Sequence, residues 1–153
     1  MIEVRVDDPA SPAVAAMIAR HFADAHANSP PGFRFVLGPE KLAQPDVTFF
    51  SAWDGDALAG MGAIKDSGCG NAEVKSMRTE PAHRRKGVGA AVLARIVAGA
   101  REAGLTRLSL ETGTGEDFAP ARALYLRAGF VDCAAFADYP ADSPHNCYMT
   151  LEL

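Results

Sequence analysis

The sequence has few of the features by which a simple motif identifies a protein class. Its 153 residues include only three cysteines, which are widely spaced and do not form pairs typical of a metal site or a disulfide framework. No apolar run approaches the roughly 18 residues that a membrane span needs, and no signal peptide is recognisable. We therefore expect a cytoplasmic protein without a bound metal or a membrane span.

An excess of basic residues is also absent. Fifteen Lys and Arg residues stand against nineteen Asp and Glu residues, which gives a formal net charge of −4. Nucleic-acid-binding domains usually present a basic surface, so the composition argues mildly against that class. Because 48% of the residues are hydrophobic and the length suits one core, we expect a single globular domain over residues 1–153.

The two best-known phosphate-binding loops are missing as well. A Walker loop requires Gly-x-x-x-x-Gly-Lys-Ser/Thr, and no such run occurs. The dinucleotide fingerprint needs a third glycine or alanine, where this chain has Val92. The run that is present is Arg84-Arg85-Lys86-Gly87-Val88-Gly89-Ala90, directly before a helical pattern. Cations, glycines and a helix N-terminus together favour a cradle for phosphate, and the alternative is a solvated basic turn.

Hydrophobic periodicity and turn residues predict an alternating pattern of strands and helices. Strands are predicted at 2–6, 47–53, 57–65, 72–79, 107–111, 131–136 and 147–153, and helices at 12–26, 40–43, 88–103 and 118–128. On strand 72–79, strict alternation would place Glu73, Lys75, Met77 and Thr79 on one face. Residues Thr112–Gly115 are predicted to form a turn. Phe33 and Phe35 lie in an irregular stretch, where they either cover the core or line a substrate entrance.

Two motifs carry a resemblance to a known family. Arg84, Gly87 and Gly89 match Arg/Gln-x-x-Gly-x-Gly/Ala, and residues 121–130 match Ala-x-x-Leu-Tyr-x-x-x-Gly-Phe. Together with the element order, they resemble the GCN5-related N-acetyltransferases (GNAT superfamily) over nearly the whole chain. The stretches 75–79, 108–113 and 136–139 resemble more narrowly a bacterial YsnE-type subgroup.

The resemblance implies an α/β fold (α+β in some schemes). It implies a central mixed, mostly antiparallel sheet of about seven strands, flanked by about four helices. Residues 1–153 would form a single N-acetyltransferase domain that uses acetyl-CoA as acyl donor. The family's assembly habits are compatible with a homodimer.

The resemblance also implies roles for individual residues. The backbone at Met77, Arg78 and Thr79 would meet the pantetheine arm, at a splay between this strand and the strand that contains Leu108. The pyrophosphate would be held by Arg84, Arg85, Lys86, Gly87, Val88, Gly89 and Ala90. The region near the acetyl-carrying sulfur would be lined by Phe118, Ala121, Leu124 and Tyr125. Many relatives carry an Asn before the second helix, where this chain reads Thr-Gly-Glu-Asp at 114–117.

Direct attack by an amine needs a base and an acid, because a lysine-like amine is protonated at neutral pH. Glu73 stands eleven residues before Arg84, the offset at which the histone-acetylating branch of the family carries its base. The alternative is a strand glutamate paired with Lys75 or Arg78, and Glu111 is a second candidate base. Tyr125 is the expected general acid for the thiolate, or else a core tyrosine.

Three hypotheses on function follow from the sequence. The first is an N-acetyltransferase that acts on a primary amine of a small molecule or peptide. The second is an acyl-CoA-binding sensor without turnover. The third is a nucleic-acid-binding domain, but its basic run has no interleaved aromatic residue. The first hypothesis includes no nucleic acid or membrane among the partners.

Overall fold

The computed structural model describes all 153 residues as eleven principal elements arranged around one sheet. In chain order they are β1 (Ile2–Val6), α1 (Pro12–Asn28), α2 (Pro39–Leu42), β2 (Val47–Asp54), β3 (Ala57–Gly68), β4 (Asn71–Thr79), α3 (Val88–Glu102), β5 (Arg107–Gly113), α4 (Ala119–Arg127), β6 (Val131–Cys133) and β7 (Asn146–Glu152). Short 3₁₀ helices lie at Pro81–His83 and Glu116–Phe118. None of the helices combines the length and apolar character that crossing a membrane requires.

The seven strands form a sheet with the order β1-β2-β3-β4-β5-β7-β6. Five of the six neighbouring pairs are antiparallel, and only β4 and β5 run parallel, joined through α3. This confirms the expected mixed, mostly antiparallel sheet and its four helices.

The parallel pair separates soon after it begins. Only Asn71–Glu73 of β4 pair with Arg107–Ser109 of β5, although β4 continues to Thr79 and β5 to Gly113. Beyond Glu73 the sheet is therefore split down its middle. The backbone of the last part of β4 has no strand partner on that side, which agrees with the expected splay.

A β-bulge at Ser76 overturns the face assignment predicted for β4. Ser76 has a φ of 56°, and the pairing with β3 shifts by one residue at this point. Lys75 and Arg78 consequently lie opposite Ala63 and Met61, on the same face of the sheet. Met77 points instead to the α3 face, where its Sδ would lie 2.8 Å from a Cβ added to Gly62. The extra residue reverses the alternation, so Lys75 and Met77 are on opposite faces.

Two hydrophobic clusters cover the two faces of the sheet. The larger has 16 buried residues and packs α3 and α4 onto the sheet, with Phe50, Ile96 and Phe130 at its centre. The smaller has eight buried residues and packs α1 and α2 onto β2 and β3, through Met17, Ile18 and others. The helices α1, α3 and α4 each supply apolar residues at helical spacing, as their sequences predicted.

Most elements differ from the sequence prediction by one or two residues at a boundary, and the differences in β3, β5 and β6 are among the largest. β5 continues through Thr112 and Gly113, predicted as a turn, because these residues pair with β7. Gly113 is required there, since a Cβ would lie 2.3 Å from the Phe118 ring. β6 ends at Cys133 rather than at residue 136, because Phe136 turns away to pack edge-on against Tyr139 and Tyr148. β3 extends three residues further than predicted, to Gly68.

Candidate active site

A cavity of about 390 Å³ opens where β4 and β5 separate. Its floor is formed by Val74–Met77 of β4 and Glu111–Gly113 of β5, and α4 contributes Ala121 and Tyr125. The C-terminal part of α1 and the segment Ser29–Val36 close it from the other side. Phe33 and Phe35 both line this cavity, a position that favours the second of the two interpretations given for these aromatic residues, the lining of an entrance. The cavity size suits a small molecule rather than a folded partner.

Glu111 lies in the wall of this cavity near the end of β5. Its Oε2 accepts a hydrogen bond of 2.8 Å from Nδ2 of Asn146, and it forms no salt bridge within the protein. Burial raises the pKa of Glu111 above the usual carboxyl value, while the Asn146 amide and the Lys75 charge partly offset the increase. A carboxylate of this kind is a stronger base than an exposed one, which suits a general base.

Tyr125 of α4 lines the same cavity and is 6% exposed. Its ring packs against Phe130 in the larger cluster, with the ring centroids 5.8 Å apart. Its hydroxyl makes no hydrogen bond to another protein group. Burial, and secondarily the nearby charge of Glu111, raises the pKa of Tyr125, so the phenol keeps its proton throughout the physiological range. The hydroxyl is thus a protonated donor without a protein acceptor.

Glu73 is buried beside the cavity, in a network that already uses its carboxylate. Oε2 of Glu73 accepts a 2.8 Å hydrogen bond from the Tyr139 hydroxyl and lies 3.6 Å from Nζ of Lys75. Nζ of Lys75 also donates to the Tyr139 hydroxyl at 2.6 Å and to the Phe35 carbonyl at 3.3 Å. Lys75 reaches the cavity wall, whereas Glu73 does not. The pairing of Glu73 with Lys75, weighed from the sequence, is therefore present.

Charged side chains join α1 to the end of β4. Arg78 donates a hydrogen bond of 2.7 Å to Asp24 of α1, and its Nη2 lies 3.6 Å from Glu80. Glu80 is also bonded by Arg20 of α1. Because these carboxylates compensate the Arg78 charge, its side chain is not free for phosphate or nucleic acid. His21, beside them, has its pKa lowered to about 4 by burial and the Arg78 charge, so it is neutral at pH 7.

The run Arg84–Ala90 forms an exposed turn at the N-terminus of α3. Arg85 has a φ of 63° and Gly87, the N-cap, a φ of 80°, so both residues have left-handed backbone conformations. The first helical hydrogen bond runs from Ala91 N–H to Gly87 C=O. The N–H groups of Val88, Gly89 and Ala90 therefore have no helical acceptor. With three exposed cations beside these donors, the turn has the chemistry of an anion site.

Gly89 connects this turn to the splay. A Cβ at Gly89 would lie 3.0 Å from Leu124 of α4 and 3.7 Å from Oγ1 of Thr79. The missing side chain thus keeps open the narrow space between the end of β4 and α4. Met77, Phe118, Ala121 and Tyr125 line the cavity itself, while Arg78, Thr79, Leu124 and the basic turn lie outside its wall. Only part of the expected site residues therefore lie at the cavity. The basic turn, residues Arg84–Ala90, is connected to α4 and to the end of β4 through Gly89.

These groups fit coenzyme A. Unpaired helical N–H groups and cations suit its pyrophosphate, and the unpaired edge of β4 suits an extended amide-containing arm. In addition, Oγ of Ser76 is buried at the bulge without a hydrogen-bond partner. A buried hydroxyl without a partner is costly unless a ligand or water satisfies it.

Sequence reasoning did not single out three residues at or beside the cavity. Arg34 and Asn146 lie in segments with no motif and reach the cavity only through the fold. Tyr139 lies in the stretch 136–139, which resembles the YsnE-type subgroup, and that likeness could have marked it. Its partners Glu73 and Lys75 are more than 60 residues away in the chain, so only the tertiary structure reveals the network.

Comparisons with known proteins identify the family to which this chain belongs. The Acetyltransferase (GNAT) family model matches residues 16–130. The chain is 44% identical to the uncharacterized N-acetyltransferase YsnE of Bacillus subtilis (strain 168), over 99% of this chain and 100% of that protein. A candidate acyl-CoA N-acyltransferase structure from Klebsiella pneumoniae is 29% identical. It has a TM-score of 0.80, with 100% of this chain and 98% of that one covered.

A further comparison concerns a second solved structure, which contains a bound acyl donor. The candidate acetyltransferase yncA from Salmonella typhimurium, determined with acetyl-CoA, has a TM-score of 0.72 at 20% identity, a likeness of fold alone. The alignment covers 99% of this chain and 93% of that one. The family match and the full-length identity carry the assignment: the chain belongs to the GNAT family and is an N-acetyltransferase.

Proposed function

We propose that the protein transfers the acetyl group of acetyl-CoA to a primary amine of a small molecule, by direct attack of the amine. The observation that carries this proposal is the cavity at the splay, where a free phenol and a half-buried carboxylate face the same space. A peptide amine is the alternative acceptor, which the 390 Å³ volume supports less well because the roof of α1 and Ser29–Val36 closes one side. Since all elements pack on one sheet, we propose residues 1–153 as a single catalytic domain.

In this proposal the basic turn and the edge of β4 hold the donor. Arg84, Arg85, Lys86 and the N–H groups at the start of α3 would bind the pyrophosphate. The backbone at Met77–Thr79 would bind the arm, with Phe118, Ala121 and Leu124 on the opposite side. The bound donor would supply the activated acetyl thioester. Binding by amides and cations of a preformed helix end needs little reorganisation.

Glu111 would act as the base and Tyr125 as the acid. Glu111 would accept the proton that the acceptor amine loses as its nitrogen bonds to the acetyl carbon. Tyr125 would donate a proton to the sulfur as the carbon–sulfur bond breaks, and the proton taken up by Glu111 would return to the tyrosinate through solvent before the next turnover. Glu73, the base expected from the sequence, is supported less well because Tyr139 and Lys75 occupy its carboxylate. We assign it the role of fixing Lys75 and Tyr139 behind the cavity.

The test is acetyl transfer by the purified wild-type protein. Free thiol released from acetyl-CoA would be followed with a panel of amines, amino acids, polyamines and peptides, and each product confirmed by mass spectrometry. We expect acetylated product with at least one small primary amine. Tight CoA binding by calorimetry together with no transfer to any member of the panel would contradict the proposal and favour a sensor.

Replacing Gly89 should weaken donor binding without unfolding the protein. A Gly89→Val side chain would enter the space between Thr79 and Leu124, and the only close contact is with the flexible end of Leu124. We expect the Kd for CoA to rise by about tenfold or more, corresponding to about 1.4 kcal/mol. Ala94→Val is the matched control, because Ala94 is exposed on the same helix. Wild-type affinity in a folded Gly89→Val protein would show that the assignment of the basic turn is wrong.

A further inference from the structure

Some titratable side chains of the cavity have their charge compensated by another group of the protein, and others do not. Asp24 is paired with Arg78, and Lys75 is held by Glu73 and Tyr139. His21 is neutral at pH 7, as described above. Asp117 and His145 are exposed at the rim, where solvent screens them. Two charges in the wall are left without an ionic partner: a cation, Arg34, and a carboxylate, Glu111.

Arg34 is held so that its guanidinium remains available. Its Nε donates a hydrogen bond of 2.8 Å to the carbonyl of Ser29, and neither Nη is hydrogen-bonded to the protein. The residues on either side are anchored, since Phe33 packs on His145 and Phe35 packs edge-on against Tyr139, each pair with centroids 5.0 Å apart. Arg34 is half-buried between them. A fixed guanidinium with two free nitrogens suits a carboxylate, which it can bind through paired hydrogen bonds.

The remaining lining is mostly apolar and aromatic. Phe33, Phe35, Met77 and Phe118 share the cavity with the two unpaired charges. A ligand that carried only an amine would leave Arg34 uncompensated in a half-buried position. A ligand that carried an amine and a carboxylate would compensate both charges, and its apolar part could contact the aromatic rings. Complementary charges of this kind confer specificity, because a wrong ligand leaves one of them unpaired.

We propose that the acceptor is a free amino acid with an apolar or aromatic side chain. Arg34 binds its carboxylate, and its amine faces Glu111. This inference rests on the proposed function, because it names the substrate class of the same cavity. Arg34 is in this sense a residue that determines specificity, and it takes no part in proton transfer.

The experiment compares matched acceptors that differ only in the carboxylate. The pairs are phenylalanine with phenylalaninamide and with 2-phenylethylamine, and leucine with leucinamide, each at saturating acetyl-CoA. An amino-acid amide has a less basic amine than the acid, so more of it is unprotonated at neutral pH. A preference for the acid therefore reports recognition of the carboxylate. We expect kcat/KM to favour the acids by about 10- to 100-fold, the range of a charge-assisted hydrogen-bond pair.

The variant Arg34→Gln should remove this preference by raising KM for the acids much more than KM for the amides. Arg34→Lys should restore part of it. Arg127→Gln is the control, because Arg127 is exposed at the end of α4 and away from the cavity, and it changes the net charge equally.

The outcomes separate the inference from the proposed function. Acetylation of amides and simple amines as fast as acids, or an acid preference that survives Arg34→Gln, would overturn the role of Arg34 and leave the enzyme intact. If no amine is acetylated, melting curves in the presence of CoA give the second measurement. Stabilisation by phenylalanine that is lost in Arg34→Gln would support the carboxylate site without turnover, and no stabilisation would overturn it.

Discussion

The variant Glu111→Gln is expected to lose about 10²–10⁴-fold in kcat, the usual contribution of a positioned acid or base. The glutamine keeps the size of the side chain and a carbonyl oxygen that can accept the hydrogen bond from Asn146, so the fold should be retained. What it lacks is the capacity to take the proton from the amine. The measurement is kcat at saturating amine and acetyl-CoA, with CoA affinity shown to be normal.

The pH dependence provides an independent check on Glu111. Burial raises its pKa, and the base acts only when deprotonated, so the wild-type rate should fall as pH decreases through this raised value. The acidic limb should therefore lie above the range of an ordinary exposed carboxyl group. Glu111→Gln has no such group, and its small residual rate should lose this limb.

Glu73→Gln is the matched control for the same chemistry. Its carboxylate is bonded to Tyr139 and close to Lys75, so the change should lower the free energy of unfolding by about 1–3 kcal/mol. We expect kcat to change much less than in Glu111→Gln. The reverse result, with a normal rate in Glu111→Gln and a large loss in Glu73→Gln, would make Glu73 the base.

The second large effect is expected for Tyr125→Phe, with kcat lowered by about 10²–10⁴-fold. The ring that packs on Phe130 stays in place, and no protein group loses a hydrogen bond, because the hydroxyl has no protein partner. Stability and CoA affinity should therefore be close to wild type. Since the raised pKa keeps the wild-type phenol protonated, the difference should be largest at high pH, where solvent protons are scarce.

Tyr148→Phe tests whether loss of any buried hydroxyl has the same effect. The Tyr148 hydroxyl donates a hydrogen bond of 2.6 Å to the Pro140 carbonyl and does not line the cavity. Its removal should reduce stability by about 1 kcal/mol and leave kcat largely unchanged. An unchanged kcat in Tyr125→Phe would remove that residue from the proposed mechanism.

Much of the fold could be predicted because its signals are local. The β-branched and aromatic residues of β2, the glycines around α3 and the apolar stripes of α1, α3 and α4 are signals that lie within one or two turns of the chain. The bulge at Ser76 could not be predicted, because a serine in a left-handed conformation is stabilised by the pairing of β4 with β3. That one residue decides that Lys75 faces α1 while Met77 faces α3.

The site could be predicted only in part for a related reason. The basic turn and Tyr125 lie within contiguous motifs, so their neighbourhood is visible in the sequence. Whether Glu73 or Glu111 is the better candidate base depends on their hydrogen-bond partners. Tyr139 contacts Glu73 from 66 residues away in the chain, and Asn146 contacts Glu111 from 35 residues away. The role proposed for Arg34 depends on its having no ionic partner in the protein, which no local sequence pattern indicates.

The two hydrophobic clusters differ in size, so the helices on the two faces of the sheet are held by different amounts of buried apolar surface. The larger holds α3 and α4, which carry the proposed donor site, and the smaller fastens α1 and α2. Local opening is easiest where the fewest apolar contacts must separate, so we expect α1, despite its ion pairs with Arg78 and Glu80, to open at a lower free energy than the rest of the sheet unfolds. In the proposed mechanism, acceptor exchange would then need no disturbance of the donor side. We accordingly expect mutations in α1 and α2 to reshape acceptor preference while the side that holds α3 and α4 is inherited unchanged.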